Sequence, residues 1–146
     1  DERKVKGIND ETGAEASVIN DERSKYDRGK AILEELTGVP ETGAKTGYAA
    51  FAPEIEVFLK EHLFADIFER DVLTYVEREL VTVSVLSSIG GVEPMLRSHL
   101  NICLNVGLTP NQLQQFVRVI KSTIGKKEAK AVQNVLDDVI NNKNKN

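Results

Sequence analysis

The chain has 146 residues and a mass of 16.2 kDa, the size of one ordinary domain. Nineteen Lys and Arg against 23 Asp and Glu leave a net charge of −4, which argues against a nucleic-acid coat or a polybasic membrane binder. The single Cys103 rules out an intramolecular disulfide, a Cys-x-x-Cys pair and a thiolate-rich zinc site. His62 and His99 are too few for a histidine-built metal centre. Aromatic residues make up 5 % with no Trp, so base- or sugar-stacking platforms are not expected. No apolar run reaches the roughly 18 residues a membrane helix needs. No metal centre, nucleic acid or membrane partner is expected.

In chain order, Asp1 to Gly7 reads as the end of a helix with a Gly stop. Residues 1–20 form a polar arm or interdomain linker, and the orphan helix end suggests the second half of a longer, tandem-domain chain. Residues 21–36 place Tyr26, Ile32, Leu33 and Leu36 on one stripe, closed by Gly38 and Pro40. Residues 37–53 read as a Gly- and Thr-rich loop, and a loop of that length is often a lid or an interface arm. Residues 54–68 carry the greasiest helical stripe, Ile55, Phe58, Leu59, Leu63, Phe64 and Ile67. The run Leu80 to Leu86 alternates like a strand, but Thr74 and Glu77 form a capping box that opens directly into it. Length and cap predict a helix over 74–89, buried on most faces.

Gly90 and Gly91 break the chain, and Pro94 starts a helix through Val106 with Met95, Leu96, Leu100, Cys103 and Leu104 on its apolar stripe. Thr109, Pro110 and Gln112 open another helix, which runs to Gly125, and a final helix carries Ala129 through Ile140. Residues 141–146, Asn and Lys only, read as a disordered tail. The expectation is an all-α domain over 21–140, with about six helices and no strand.

Chemistry-bearing residues are sparse. His99 is either a structural hydrogen-bonding residue or a proton shuttle near neutral pH. Cys103 lies one turn on and can neighbour it, as a nucleophile or as a small buried apolar group. Glu77 already serves the cap. Glu79 stands one position before the apolar run, where partial burial would make it an acid–base group or half of a buried Arg–Glu pair.

Three linked features follow: Glu77-Arg78-Glu79-Leu80 at a helix start, Arg97-Ser98-His99 within a helix, and Asn105-Val106-Gly107-Leu108-Thr109-Pro110-Asn111-Gln112 at a turn. In this order they resemble the carboxymuconolactone decarboxylase family, over about residues 50–137. The resemblance implies an alkylhydroperoxidase D-like all-α fold that packs into homo-oligomeric rings, trimers or hexamers, with sites near subunit contacts. In the peroxidase wing of the family a Cys-x-x-Cys precedes the histidine, and those slots fall at about Gly91 and Pro94 here. Gly91-Val92-Glu93-Pro94-Met95-Leu96-Arg97-Ser98-His99 therefore sides with the decarboxylase wing, which uses no metal or organic cofactor. The implied chemistry is decarboxylation or proton transfer on a small carboxylated lactone or related acid. His99 would donate the proton, Glu79 would orient it or relay the proton, and Arg97 and Arg78 would hold carboxylates. Phe51 and the 37–53 loop would lie over the site. The alternatives are an oxidoreductase working through Cys103 and a non-catalytic oligomeric module that binds a small acid. The default compartment is the cytoplasm, left open because a signal peptide could have been removed.

Overall fold

The computed structural model describes residues 2–11 and 13–143, and every described regular element is helical. Helix α1 is a single turn, Glu2–Val5, followed by Gly7 at φ +71°. Helix α2 spans Lys25–Thr37; the Ser24 side chain accepts from the Asp27 N–H at its start, and Gly38 ends it in the left-handed region at φ +69°. The 37–53 stretch is not structureless throughout, because Gly47–Phe51 forms a short helix, α3. Pro53 then opens α4, Pro53–Phe58, which continues as a π-helical run over Leu59–Phe68. Helices α5 (Tyr75–Ile89), α6 (Glu93–Asn105), α7 (Pro110–Thr123) and α8 (Lys126–Lys143) complete the chain. Helix α8 passes Ile140, where the apolar pattern stops, and Lys143 Nζ donates to Asn105 Oδ1 at 2.9 Å. Residues 144–146 of the expected polar tail lie outside the described residues.

Two capping boxes fix the phase of the central helices. The Thr74 N–H donates to Glu77 Oε2 at 2.8 Å while the Glu77 N–H donates back to Thr74 Oγ1 at 3.3 Å. Thr109 and Gln112 repeat the arrangement at the start of α7, at 2.8 and 3.2 Å. With its start pinned, the alternating run Leu80 to Leu86 is helical, and the strand alternative is excluded.

The core belongs to the last four helices. Val83 and Leu86 of α5, Leu96, Leu100 and Cys103 of α6, Leu113, Val117 and Ile120 of α7, and Val132, Val135, Leu136 and Val139 of α8 pack as one buried cluster. Helix α2 packs mainly against the π-helical run and touches α6. Its C-terminus is tied down by Asn105 Nδ2, which donates to the Thr37 carbonyl at 2.7 Å.

Two burial expectations fail. Helix α5 is not buried on most faces: Glu79, Val83, Leu86 and Ser87 point inward, while Val81, Val85 and Ile89 are 60 %, 52 % and 64 % exposed. Positions four apart share a helix face, so one stripe entering the core leaves a second apolar stripe outside. The segment 54–68 departs further. Its buried residues are Glu56, Lys60 and Ala65, whereas Ile55 and Phe58 are mostly exposed. From Leu59 on, the turn widens to i→i+5 bonding, as in the Glu69 N–H to Phe64 carbonyl bond of 3.0 Å, so the side chains beyond it leave the α-helical phase that the stripe assumed.

That turn crosses α2 at Gly29, where an added Cβ would lie 1.9 Å from the Lys60 carbonyl oxygen. Only the hydrogen of glycine fits between these backbones. Gly29→Ala is expected to destabilise the fold by about 2–3 kcal/mol, the cost of overpacking that requires a backbone shift. A chemical-denaturation midpoint unchanged from wild type would contradict so close a crossing.

Candidate functional site

Because the Thr74–Glu77 cap sets the phase of α5, position 79 falls on the same face as Val83 and Leu86 and points into the protein. Glu79 is 1 % exposed. An isolated carboxylate there would carry a large desolvation penalty. The Pro94 start of α6 places His99 opposite, and His99 Nδ1 lies 2.8 Å from Glu79 Oε2. The imidazole side chain remains 28 % exposed, so one edge is held by a buried carboxylate while the other reaches solvent. With Glu79 ionised, the Nδ1–H donates to it and the proton-exchanging nitrogen is Nε2.

Cys103, four residues beyond His99, is completely buried on the core side of α6. Burial, reinforced by the nearby Glu79 carboxylate, pushes its thiol up to about 12. A thiol held there presents almost no thiolate at neutral pH. Burial suits the small apolar alternative for this residue.

The two arginines diverge from the pair. The Arg97 guanidinium donates to Asp138 Oδ2 of α8 at 2.9 Å, in an ion pair open to solvent on both sides. Arg78 leaves α5 in another direction: Nη2 donates to the Arg70 carbonyl at 2.9 Å, and the guanidinium lies over the Phe68 ring at 5.4 Å. Its Nε is buried without a hydrogen-bond partner, and no carboxylate of the described residues lies within 4 Å of its side chain. Arg78 thus keeps a buried donor without a partner or a neighbouring carboxylate, whereas Arg97 is charge-paired with Asp138. Phe51 is 90 % exposed and covers nothing within this chain. His62 is half-exposed and faces Asp66 at 3.5 Å. A groove of about 470 Å³ between α5 and α7, floored by Leu80, Leu108, Phe116 and Ile120, includes neither Glu79 nor His99.

Sequence reading missed a second charged cluster. Glu56 and Lys60 are each 1 % exposed and bonded to one another, with Tyr26, Glu41 and Lys45 gathered around them. The signal was present as a Glu-x-x-x-Lys pair four residues apart, but on an α-helical wheel it falls on the polar face. Among the described residues no group of three or more His, Cys, Asp and Glu side chains is placed to hold a metal ion. No helix of the described residues is long and apolar enough to cross a membrane.

Comparison with known proteins agrees with the helical architecture. The chain is 25 % identical over 122 residues, 83 % of its own length, to the 4-carboxymuconolactone decarboxylase of Acinetobacter baylyi, and the match covers 90 % of that protein. The model of the carboxymuconolactone decarboxylase family matches residues 53–138, a span that holds Glu56, Lys60, Arg78, Glu79, Arg97, His99 and Cys103 and leaves Tyr26, Glu41 and Lys45 outside. The chain belongs to the carboxymuconolactone decarboxylase family.

Proposed function

We propose that the protein is a cofactor-independent lyase that decarboxylates a small carboxylated lactone or a related acid, with His99 as proton donor and Glu79 as its positioning residue. The observation that carries this reading is the 2.8 Å contact between a fully buried carboxylate and an imidazole that still reaches solvent. Loss of CO2 breaks the bond between the carboxylate and the adjacent carbon. The electron pair passes into the neighbouring unsaturated system as a carbanion or enolate, which must then take up a proton. An imidazolium donating from Nε2 supplies that proton, while Nδ1–H stays on Glu79. The ionised Glu79 stabilises the cation before transfer and fixes which nitrogen is aimed outward. The exposed edge of His99 then regains a proton from water.

Arg78 supports the same reading as the holder of a substrate carboxylate, since its Nε has no partner within the chain. Arg97 is already charge-paired with Asp138. The depth of Cys103 and its raised thiol weigh against thiol-based peroxidase chemistry.

The experiment is turnover of 4-carboxymuconolactone, followed by CO2 release. His99→Ala is expected to lower kcat about 100-fold or more, within the usual range for loss of a general acid. Glu79→Gln should lower it less, with the far-ultraviolet helical signal of both variants retained. Full activity in a folded His99→Ala protein would contradict the role given to His99.

Self-association is part of the proposal. Val81, Val85 and Ile89 on α5, with Ile55 and Phe58 beside the π-helical run, leave more apolar surface open than a lone domain usually carries. A closed ring, a trimer or hexamer, would cover it and enclose the outer edge of His99. Light scattering is expected to give a multiple of 16.2 kDa for the wild type and a smaller assembly for Val85→Asp. A wild-type mass of one chain would contradict the ring.

A further inference from the structure

The Glu56–Lys60 cluster shares no residue with the Glu79–His99 pair and has no part in the chemistry above. Lys60 Nζ has three N–H donors and three acceptors: Glu56, the Tyr26 hydroxyl at 3.2 Å, and Glu41. The Tyr26 O–H donates onward to Glu56 Oε1 at 2.9 Å, and Lys45 Nζ donates to Glu56 Oε2 at 2.6 Å. The Tyr26 ring faces both cations, with Lys60 Nζ 4.7 Å and Lys45 Nζ 5.7 Å from its centroid. Two ammonium groups and two carboxylates balance.

The four charges are not equally fixed. Glu56 and Lys60 are anchored by α4 and the π-helical run, and the close crossing at Gly29 holds Lys60 under α2. Glu41 comes instead from the stretch between α2 and α3, whose residues Gly38 to Gly47 are all exposed. Its own side chain is 37 % exposed, and its backbone N–H is held by Glu34 Oε1 at 2.7 Å. Without Glu41 the cluster would carry a net positive charge, and a buried Lys60 would lose one acceptor while keeping a route to solvent.

We propose that Lys60, Tyr26 and Lys45 form a carboxylate-binding site, occupied here by the chain's own Glu41, that accepts the carboxylate of a small external acid in its place. Glu41 acts as a tethered competitor whose local concentration sets how much free acid is needed to displace it. The site is expected to favour a carboxylate over a simple halide because the group it already holds on Lys60, that of Glu41, is a carboxylate. Lys45, across the Tyr26 ring, supplies the second positive charge.

The test uses the full chain with acetate as probe and sodium chloride at equal ionic strength as control. In Glu41→Ala, acetate should raise the melting temperature and perturb the amide resonances of residues 26, 45, 56 and 60. The half-saturating concentration should be at least tenfold lower than in the wild type. Glu41→Gln, which keeps the side-chain shape without the charge, gives the same comparison if Glu41→Ala folds poorly. Adding Lys60→Met to either variant should abolish the acetate effect. Equal stabilisation by chloride, or no acetate-dependent change in either Glu41 variant, would overturn the proposal.

Discussion

The carboxylate of Glu79 stands in the face of α5 that packs into the protein, and that burial is feasible because an imidazole from α6 meets it. A buried carboxylate without a partner is among the most unfavourable groups a core can hold. Its pairing with His99 therefore constrains how α5 and α6 sit against each other. The same pairing makes His99 chemically directional. One nitrogen is committed to the buried carboxylate, while the ring as a whole keeps contact with solvent.

Charge recurs in the interior at a second place, where Glu56 and Lys60 are buried beneath α2. Burial alone would raise the carboxyl of Glu56, yet hydrogen bonds from Lys45, Lys60 and Tyr26 outweigh it and hold the group at about 2. Burial would likewise lower the Lys60 ammonium, but bonds to Glu41, Glu56 and Tyr26 raise it. Both groups therefore stay ionised across the neutral range. The apolar residues of the same segment are displaced outward, leaving Ile55 and Phe58 at the surface. The segment thus carries both a buried ion pair and exposed apolar side chains.

The last four helices were legible in the sequence because their signals agree: capping boxes at Thr74 and Thr109, Pro at the starts of α6 and α7, and apolar periodicity through Val139. The pairing of Glu79 with His99 was reachable through a family resemblance, since no spacing rule joins residues 20 apart on different helices. The segment 54–68 was misread because its apolar stripe was assumed to face the core, whereas Ile55 and Phe58 of α4 face out, and because π-winding from Leu59 on breaks the 3.6-residue period. Glu56 and Lys60, four residues apart, carry no signal in the sequence that marks them as buried. The resemblance gives Arg97 and Arg78 the same role, and only three-dimensional contacts separate an arginine engaged by Asp138 from one with an unpartnered Nε.

The most direct test of the central pairing is the tautomer of neutral His99, read from its imidazole 15N resonances in the wild-type protein and in Glu79→Gln. A buried, ionised Glu79 requires the proton on Nδ1 and leaves Nε2 unprotonated, and Glu79→Gln should shift that preference. A wild-type ring protonated at Nε2, or resonances unchanged by the substitution, would show that Glu79 does not orient His99 and would remove the basis of the acid–base site.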